Sequence, residues 1–103
     1  MRELDVTELE AAVMRGATLL DVREPMEYAQ AHVPGAVLIP MGQLSARMGE
    51  LDKGSTVLVI CATGNRSSAM TDLLTAAGYD AYNVAGGTRA WLRSGRAVAS
   101  GLR

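Results

Sequence analysis

A single cysteine and the residues that follow it have the types and the spacing of a reactive thiol site. Cys61 is the only cysteine of the chain, and it follows the apolar residues 57–60, three of which are β-branched. This pattern predicts a buried strand that ends at the cysteine. The residues after it include Gly64 and Asn65, which tolerate left-handed backbone angles and so indicate a tight turn.

A helix is predicted directly after this turn. Ser67 or Ser68 can act as its N-cap, and Gly78 is suited to the position that follows its C-terminus. The thiol of Cys61 would then lie at a helix N-terminus, with Arg66 five residues further on. Backbone amides, the helix dipole and a guanidinium group all favour a thiolate over a thiol.

Two interpretations of Cys61 have to be compared. An unpaired cysteine at the end of an apolar strand is commonly a packing residue. A packing role, however, would gain nothing from a glycine turn and an arginine beside the sulfur. Because these features together lower the pKa of a thiol, we predict that Cys61 is reactive.

Three other stretches, together with this loop, resemble the rhodanese (sulfurtransferase) family. Residues 19–24 have the sequence LLDVRE, residues 31–40 have AHVPGAVLIP, and residues 84–91 have VAGGTRAW. Each stretch resembles a segment of that family, and the segments follow in the family's order over nearly the whole chain. The resemblance implies the family's α/β fold and a sulfur-transfer activity.

For the loop, the resemblance implies a thiosulfate sulfurtransferase-type enzyme that works through a persulfide on Cys61. The thiolate would take the outer sulfur of thiosulfate or a related donor and pass it to cyanide or a thiol. Loop amides would hold this sulfur, and the arginine would orient the donor by charge-assisted hydrogen bonds. The residues expected to bind substrate are Ala62, Thr63, Gly64, Asn65 and Arg66. A sulfur-relay protein is a further expected partner, and no metal or organic cofactor is implied.

Supporting roles are expected for Asp21, Arg23 and Ser67. A carboxylate at a strand end, such as that of Asp21, commonly anchors a neighbouring loop by hydrogen bonds. Arg23 lies just past this strand end, where it could form a surface ion pair with Glu24 or face the site. His32 is the only histidine and suggests a Cys–His pair, but the resemblance implies a structural role for it.

Strands alternating with helices predict an open, mainly parallel five-stranded α/β sheet. The predicted strands are residues 3–6, 18–22, 36–39, 57–60 and 81–84, and the predicted helices cover about residues 8–14, 25–30, 42–50, 68–77 and 88–94. Thr7 and Glu10 have the spacing of a capping box for the first helix. Ligand sites in such sheets lie beyond the carboxyl ends of the strands, where Asp21, Cys61 and the turn at residues 86–87 can converge.

Composition limits the function classes that remain. The 103 residues, 49% of them apolar, predict one domain over residues 1–103, with about the last eight residues frayed. One cysteine excludes an internal disulfide and a CxxC metal site. The N-terminus lacks the apolar segment of a signal peptide and no apolar run could cross a membrane, so we expect a cytoplasmic protein without membrane contact.

Charge is unevenly distributed along the chain. Residues 1–52 carry nine acidic and four basic side chains, whereas residues 53–103 carry two and six. The half that contains Cys61 is therefore positive, which favours small anions. A pI near 5.7, with no basic stripe, argues against nucleic-acid binding.

Two alternative functions remain at this point. Cysteine phosphatases and arsenate reductases use C-x5-R, whereas Arg66 makes this motif C-x4-R, a loop suited to a sulfur atom and not to a tetrahedral oxyanion. A sulfur-carrier or binding module fed by a partner protein is the other alternative. Ala62 stands where many thiosulfate-using family members have a basic residue, and its missing charge would weaken anion binding or favour another donor.

Overall fold

The chain folds into one sheet with helices on both faces, described over residues 1–102 by a computed structural model. Its five strands are all parallel and lie in the order β1-β5-β4-β2-β3. The strands are β1 (Glu3–Leu4), β2 (Thr18–Asp21), β3 (Val37–Leu38), β4 (Thr56–Ile60) and β5 (Asp80–Val84), and the α-helices are α1 (Val6–Met14), α2 (Pro25–Gln30), α3 (Leu44–Arg47), α4 (Asn65–Ala76) and α5 (Gly87–Arg93). The predicted fold class is confirmed.

The central strand, β4, fixes the direction of the residue that follows it. Its side chains alternate between two apolar clusters, one on each face of the sheet. Val57, Val59 and the following Cys61 belong to the cluster that contains residues of α4, and Leu58 and Ile60 belong to the cluster that contains residues of α1 and α5. A register shift of one residue would move each of these side chains, including that of Cys61, to the other face of the sheet. The packing of β4 on both faces therefore fixes the side to which Cys61 points.

The N-terminus of α1 differs from the prediction. The helix begins at Val6, and its N-cap is Asp5, whose side chain accepts a hydrogen bond from the amide of Glu8 over 2.9 Å. The carboxylate of Glu8 in turn accepts from the amide of Asp5. The capping box predicted at Thr7 and Glu10 is therefore wrong by two residues, because β1 ends at Leu4 and leaves an aspartate free to cap.

The start of α4 is also earlier than predicted. Gly64 is its N-cap, with φ +106°, and the helix begins at Asn65. Neither Ser67 nor Ser68 acts as a cap, since both already lie within the helix. Because a positive φ favours glycine, the glycine of the predicted turn, Gly64, is also the residue from which α4 starts.

The predicted helix over residues 42–50 is a succession of short elements. Two 3-10 turns, Met41–Gln43 and Met48–Glu50, flank α3. After α5 the chain has no further helix or strand up to residue 102, but hydrogen bonds tie it to the body of the protein. The carbonyl oxygen of Ala97 accepts from Trp91 Nε1, and Ala99 pairs with His32 in an isolated bridge. Within residues 1–102, none of the helices is long and apolar enough to cross a membrane.

Candidate active site

Cys61 lies directly after β4, where the chain turns into α4. Its side chain is 1% exposed, whereas Thr63 and Asn65 of the following loop are exposed. The amide of Gly64 donates a hydrogen bond to Sγ over 3.1 Å, and the hydroxyl oxygen of Ser67 lies 3.2 Å from Sγ. The sulfur therefore lies at the base of a loop that offers it hydrogen-bond donors.

Opposing effects act on the pKa of Cys61. Burial is the largest single effect, and it raises the pKa because a low dielectric disfavours the thiolate. Hydrogen bonds from the hydroxyl and amide of Ser67 and from the amides of Gly64 and Thr63 act in the other direction. Together they outweigh burial, so the pKa lies below the ordinary value of cysteine.

The first residues of α5 hold the start of the loop. The amide of Thr88 donates to the carbonyl oxygen of Cys61 over 2.9 Å, and the amide of Arg89 donates to that of Ala62 over 3.0 Å. Gly87, with φ +59°, allows this contact, since a Cβ atom there would lie 2.6 Å from the oxygen of Ala62 and closer still to that of Cys61. The turn at residues 86–87 thus meets the cysteine loop, as the strand-end argument predicts.

A hydrogen-bond network connects Ser67 through β5 to β1, which is an edge strand of the sheet. Ser67 Oγ lies 2.6 Å from Oδ1 of Asn83, whose Nδ2 donates to the carboxylate of Glu3 over 2.9 Å. Because a carboxylate only accepts, Glu3 fixes the amide orientation and directs Oδ1 to the serine. Sequence reasoning missed this network; the one available signal was a polar residue, Asn83, among the apolar residues 81–84.

Arg66 is bound to a residue that the sequence did not indicate. Its two terminal nitrogens donate to the two carboxylate oxygens of Glu27 in α2, over 2.7 and 2.8 Å. Both side chains are about one-third exposed. Hydrogen bonds from this guanidinium hold the pKa of Glu27 at about 2, while the pKa of Arg66 is raised. The positive charge predicted for the loop, that of Arg66, is therefore present but is paired with the carboxylate of Glu27.

Arg23 does not lie on the surface. Its guanidinium forms a buried bidentate ion pair with Asp21 and donates to the carbonyl oxygen of Ala31 over 2.8 Å. The prediction that it forms a surface ion pair with Glu24 is wrong, since its hydrogen bonds go to the end of β2 and to the segment after α2. A supporting role for Arg23 at the site stays a prediction. Asp21 Oδ1 also accepts from the amide of Arg23, which fits the predicted role of an anchor.

His32 is packed away from solvent, with 2% of its surface exposed. Its ring stacks on that of Tyr28, with 3.6 Å between the centroids, and Nδ1 donates to the carbonyl oxygen of Tyr28 over 2.7 Å. These contacts support the structural role expected for it. In the part of the chain that is described, no group of three or more His, Cys, Asp or Glu side chains is arranged to hold a metal ion.

Known proteins share this fold. The sequence model of the Rhodanese-like domain matches residues 5–94. The crystal structure of a rhodanese-related protein from Thermoplasma volcanium superposes with a TM-score of 0.91 over all of both chains, at 31% identity. A rhodanese-like domain protein from Staphylococcus aureus gives a TM-score of 0.82 at 33% identity, over 88% of this chain and 91% of the other.

One curated relative of the chain is a longer protein. Putative sulfur carrier protein YrkF of Bacillus subtilis (strain 168) is 39% identical over 74 residues, or 71% of this chain. The match spans 40% of the length of that relative. With the family model covering 90 consecutive positions and the fold and loop as described, the chain belongs to the rhodanese-like domain family.

Proposed function

We propose that the protein is a sulfurtransferase that carries a sulfane sulfur on Cys61. The observation that carries this proposal is the set of donors around Sγ, namely the amide of Gly64 at 3.1 Å and the hydroxyl of Ser67 at 3.2 Å. A thiolate is the nucleophilic form of cysteine, and these donors favour it. Membership of the rhodanese-like domain family supports sulfur transfer as the reaction class.

The proposed reaction has two displacement steps. In the first, the Cys61 thiolate attacks the outer sulfur of thiosulfate, the S–S bond of the donor breaks, and sulfite leaves with the electron pair. The enzyme is left with a persulfide anion. In the second, cyanide or a thiolate attacks the outer sulfur of this persulfide, so that thiocyanate or a new persulfide leaves and the Cys61 thiolate returns.

Loop residues are proposed to bind the transferred sulfur. The amides of Thr63, Gly64 and Ser67 form hydrogen bonds to Sγ, and amide hydrogens of this loop can stabilise a persulfide anion. The substrate-binding set is Ala62, Thr63, Gly64, Asn65 and Arg66. Because the cysteine is almost fully buried, a donor has to present a single sulfur atom at the base of the loop. The short C-x4-R spacing suits such an atom.

The relative named as a sulfur carrier supports a second form of the same chemistry. In that form, a partner protein would load Cys61 and another would unload it, with little turnover of free thiosulfate. Either form requires a reduced thiol, which fits a reducing compartment such as the cytoplasm. The chain of residues 1–103 has no second cysteine, so the acceptor has to be external.

The test is the intact mass of the reduced protein after thiosulfate, and again after cyanide. We expect a gain of one sulfur atom that cyanide removes as thiocyanate, and no gain in Cys61→Ser. The cyanide step is essential because a sulfinic acid adds nearly the same mass. A small persulfide is offered as a second donor, since a carrier would load from it but turn over slowly.

The outcomes separate the alternatives. Rapid thiocyanate release supports an enzyme, and loading without turnover supports a carrier. Absence of added sulfur from both donors, in a protein that retains its circular dichroism spectrum, would contradict the proposal. So would hydrolysis of a phosphate ester that depends on Cys61.

A further inference from the structure

We propose that Glu27 sets the donor preference of this site by occupying the guanidinium group of Arg66, which disfavours thiosulfate relative to uncharged or singly charged persulfide donors. This inference rests on the proposed function. It assigns a specificity role to a residue of α2 that lies 39 positions before Arg66 in the chain.

The first step of the argument is the geometry of the pair. Nη1 and Nη2 of Arg66 each donate to one oxygen of Glu27, over 2.7 and 2.8 Å. This bidentate arrangement is the one in which a guanidinium would bind a sulfonate. A donor that uses the same two nitrogens therefore has to displace the carboxylate.

The second step is that Glu27 is held in place from its other side. Its Oε1 also accepts a hydrogen bond from the amide of Glu24 over 3.0 Å, at the N-terminus of α2. The carboxylate is thus fixed by the helix as well as by the arginine. Since the pKa of Glu27 is about 2, it remains ionised at any pH at which the reaction would be measured.

The third step concerns charge. Ala62, the first loop residue after the cysteine, provides no cation, and the charge of Arg66 is balanced by that of Glu27. Thiosulfate carries two negative charges and would be repelled by the carboxylate of Glu27, and the loop has no unpaired cation to offset this repulsion. A thiol persulfide, R–S–SH, carries its sulfane sulfur on a carbon-bound sulfur and needs no cation to bind.

Transfer from such a donor is balanced without further reactants. The Cys61 thiolate forms a bond to the outer sulfur, the S–S bond of R–S–SH breaks, and the thiolate R–S⁻ leaves with the electron pair. The proton of the donor stays on the new Cys61 persulfide or passes to solvent. The leaving group needs no guanidinium, in contrast to sulfite.

The experiment compares Glu27→Gln with Glu24→Gln. Glutamine keeps the size of the side chain and can still accept from the amide of residue 24, but it releases the charge of Arg66. We expect the apparent KM for thiosulfate to fall about tenfold in Glu27→Gln, with less than a twofold change for cysteine persulfide. Glu24→Gln removes an equal charge from the same helix end without touching Arg66, and should match the wild type with both donors.

The result separates this inference from the proposed function. If Cys61 gains no sulfur from either donor, the proposed function fails. If the wild type loads normally and Glu27→Gln has an unchanged thiosulfate KM, or if Glu24→Gln has the same effect, only the role of Glu27 is overturned. Urea unfolding of both variants shows whether each is folded. Adding about 0.5 M KCl should reduce the difference in thiosulfate KM between the variants, since salt screens partly exposed charges.

Discussion

The hydroxyl oxygen of Ser67 lies 3.2 Å from Sγ of Cys61, beneath the loop and out of solvent. A serine has one hydroxyl hydrogen, and Oδ1 of Asn83, at 2.6 Å, is a second acceptor for it. When the sulfur is a thiolate, the hydrogen can point to Sγ. When it is a thiol, the hydrogen can point to the amide while the oxygen accepts from the S–H group, so this serine can bond to both protonation states.

Replacing this serine should make the thiol less acidic. Ser67→Ala removes the hydroxyl donor while burial remains, so the pKa of Cys61 should rise from its lowered value. The thiolate fraction at neutral pH would fall, and alkylation by iodoacetamide would slow. The measurement is the alkylation rate as a function of pH, whose midpoint should move to higher pH.

Ser68→Ala is the matched control for this experiment. Its hydroxyl lies next to Met1 Sδ and has no contact with the cysteine among those described, so its pH profile should equal that of the wild type. A Ser67→Ala midpoint at the wild-type pH would show that the backbone amides alone determine the acidity of Cys61.

Close packing at Gly87 gives a prediction about stability. An alanine there would adopt an unfavourable φ of +59° and place its Cβ against the carbonyl oxygens of Cys61 and Ala62. The first effect costs about 1–2 kcal/mol and the second about 1–3 kcal/mol. We therefore expect Gly87→Ala to lower the free energy of urea unfolding by about 2–5 kcal/mol and to slow Cys61 alkylation.

The control is Gly95→Ala, where φ is +75° but nothing lies within 4 Å of the added Cβ. This variant isolates the backbone effect, about 1–2 kcal/mol. Equal unfolding free energies for the two variants would mean that contact between α5 and the cysteine loop is unimportant.

The sequence could predict what depends on local pattern and could not predict what depends on distant side chains. Apolar runs and glycine turns located the strands and placed Cys61 at a strand end. The partners of Arg66 and Ser67 are Glu27 and Asn83, which come from other elements of the fold. Their identity depends on the order of strands in the sheet and on how α2 packs, and no spacing along the chain encodes either. The N-cap of α4 was misplaced because the serine pattern resembles a cap whereas the glycine turn provides one.

The buried ion pair at the end of β2 should matter for folding. Asp21 is fully buried and its partner Arg23 is 5% exposed, so Asp21→Asn would leave the guanidinium without a compensating charge. Removing one partner of a buried pair costs about 3–5 kcal/mol. The urea midpoint should fall accordingly, while Glu50→Gln, which breaks the exposed pair with Arg47, should leave it nearly unchanged. Similar midpoints for the two variants would show that Asp21 is not an anchor.

A cation introduced at the first loop position should improve thiosulfate binding by a route independent of Glu27. Ala62 is partly exposed, and its carbonyl oxygen, not its side chain, makes the contact with α5, so a longer side chain can extend toward solvent. We expect Ala62→Arg to lower the apparent KM for thiosulfate severalfold, because its guanidinium has no carboxylate already bound to it. Ala69→Arg, at an exposed position of α4, adds the same charge away from the loop and should have little effect. If both variants lower KM equally, net charge and not local binding determines thiosulfate affinity; if neither does, the first loop side chain does not meet the donor.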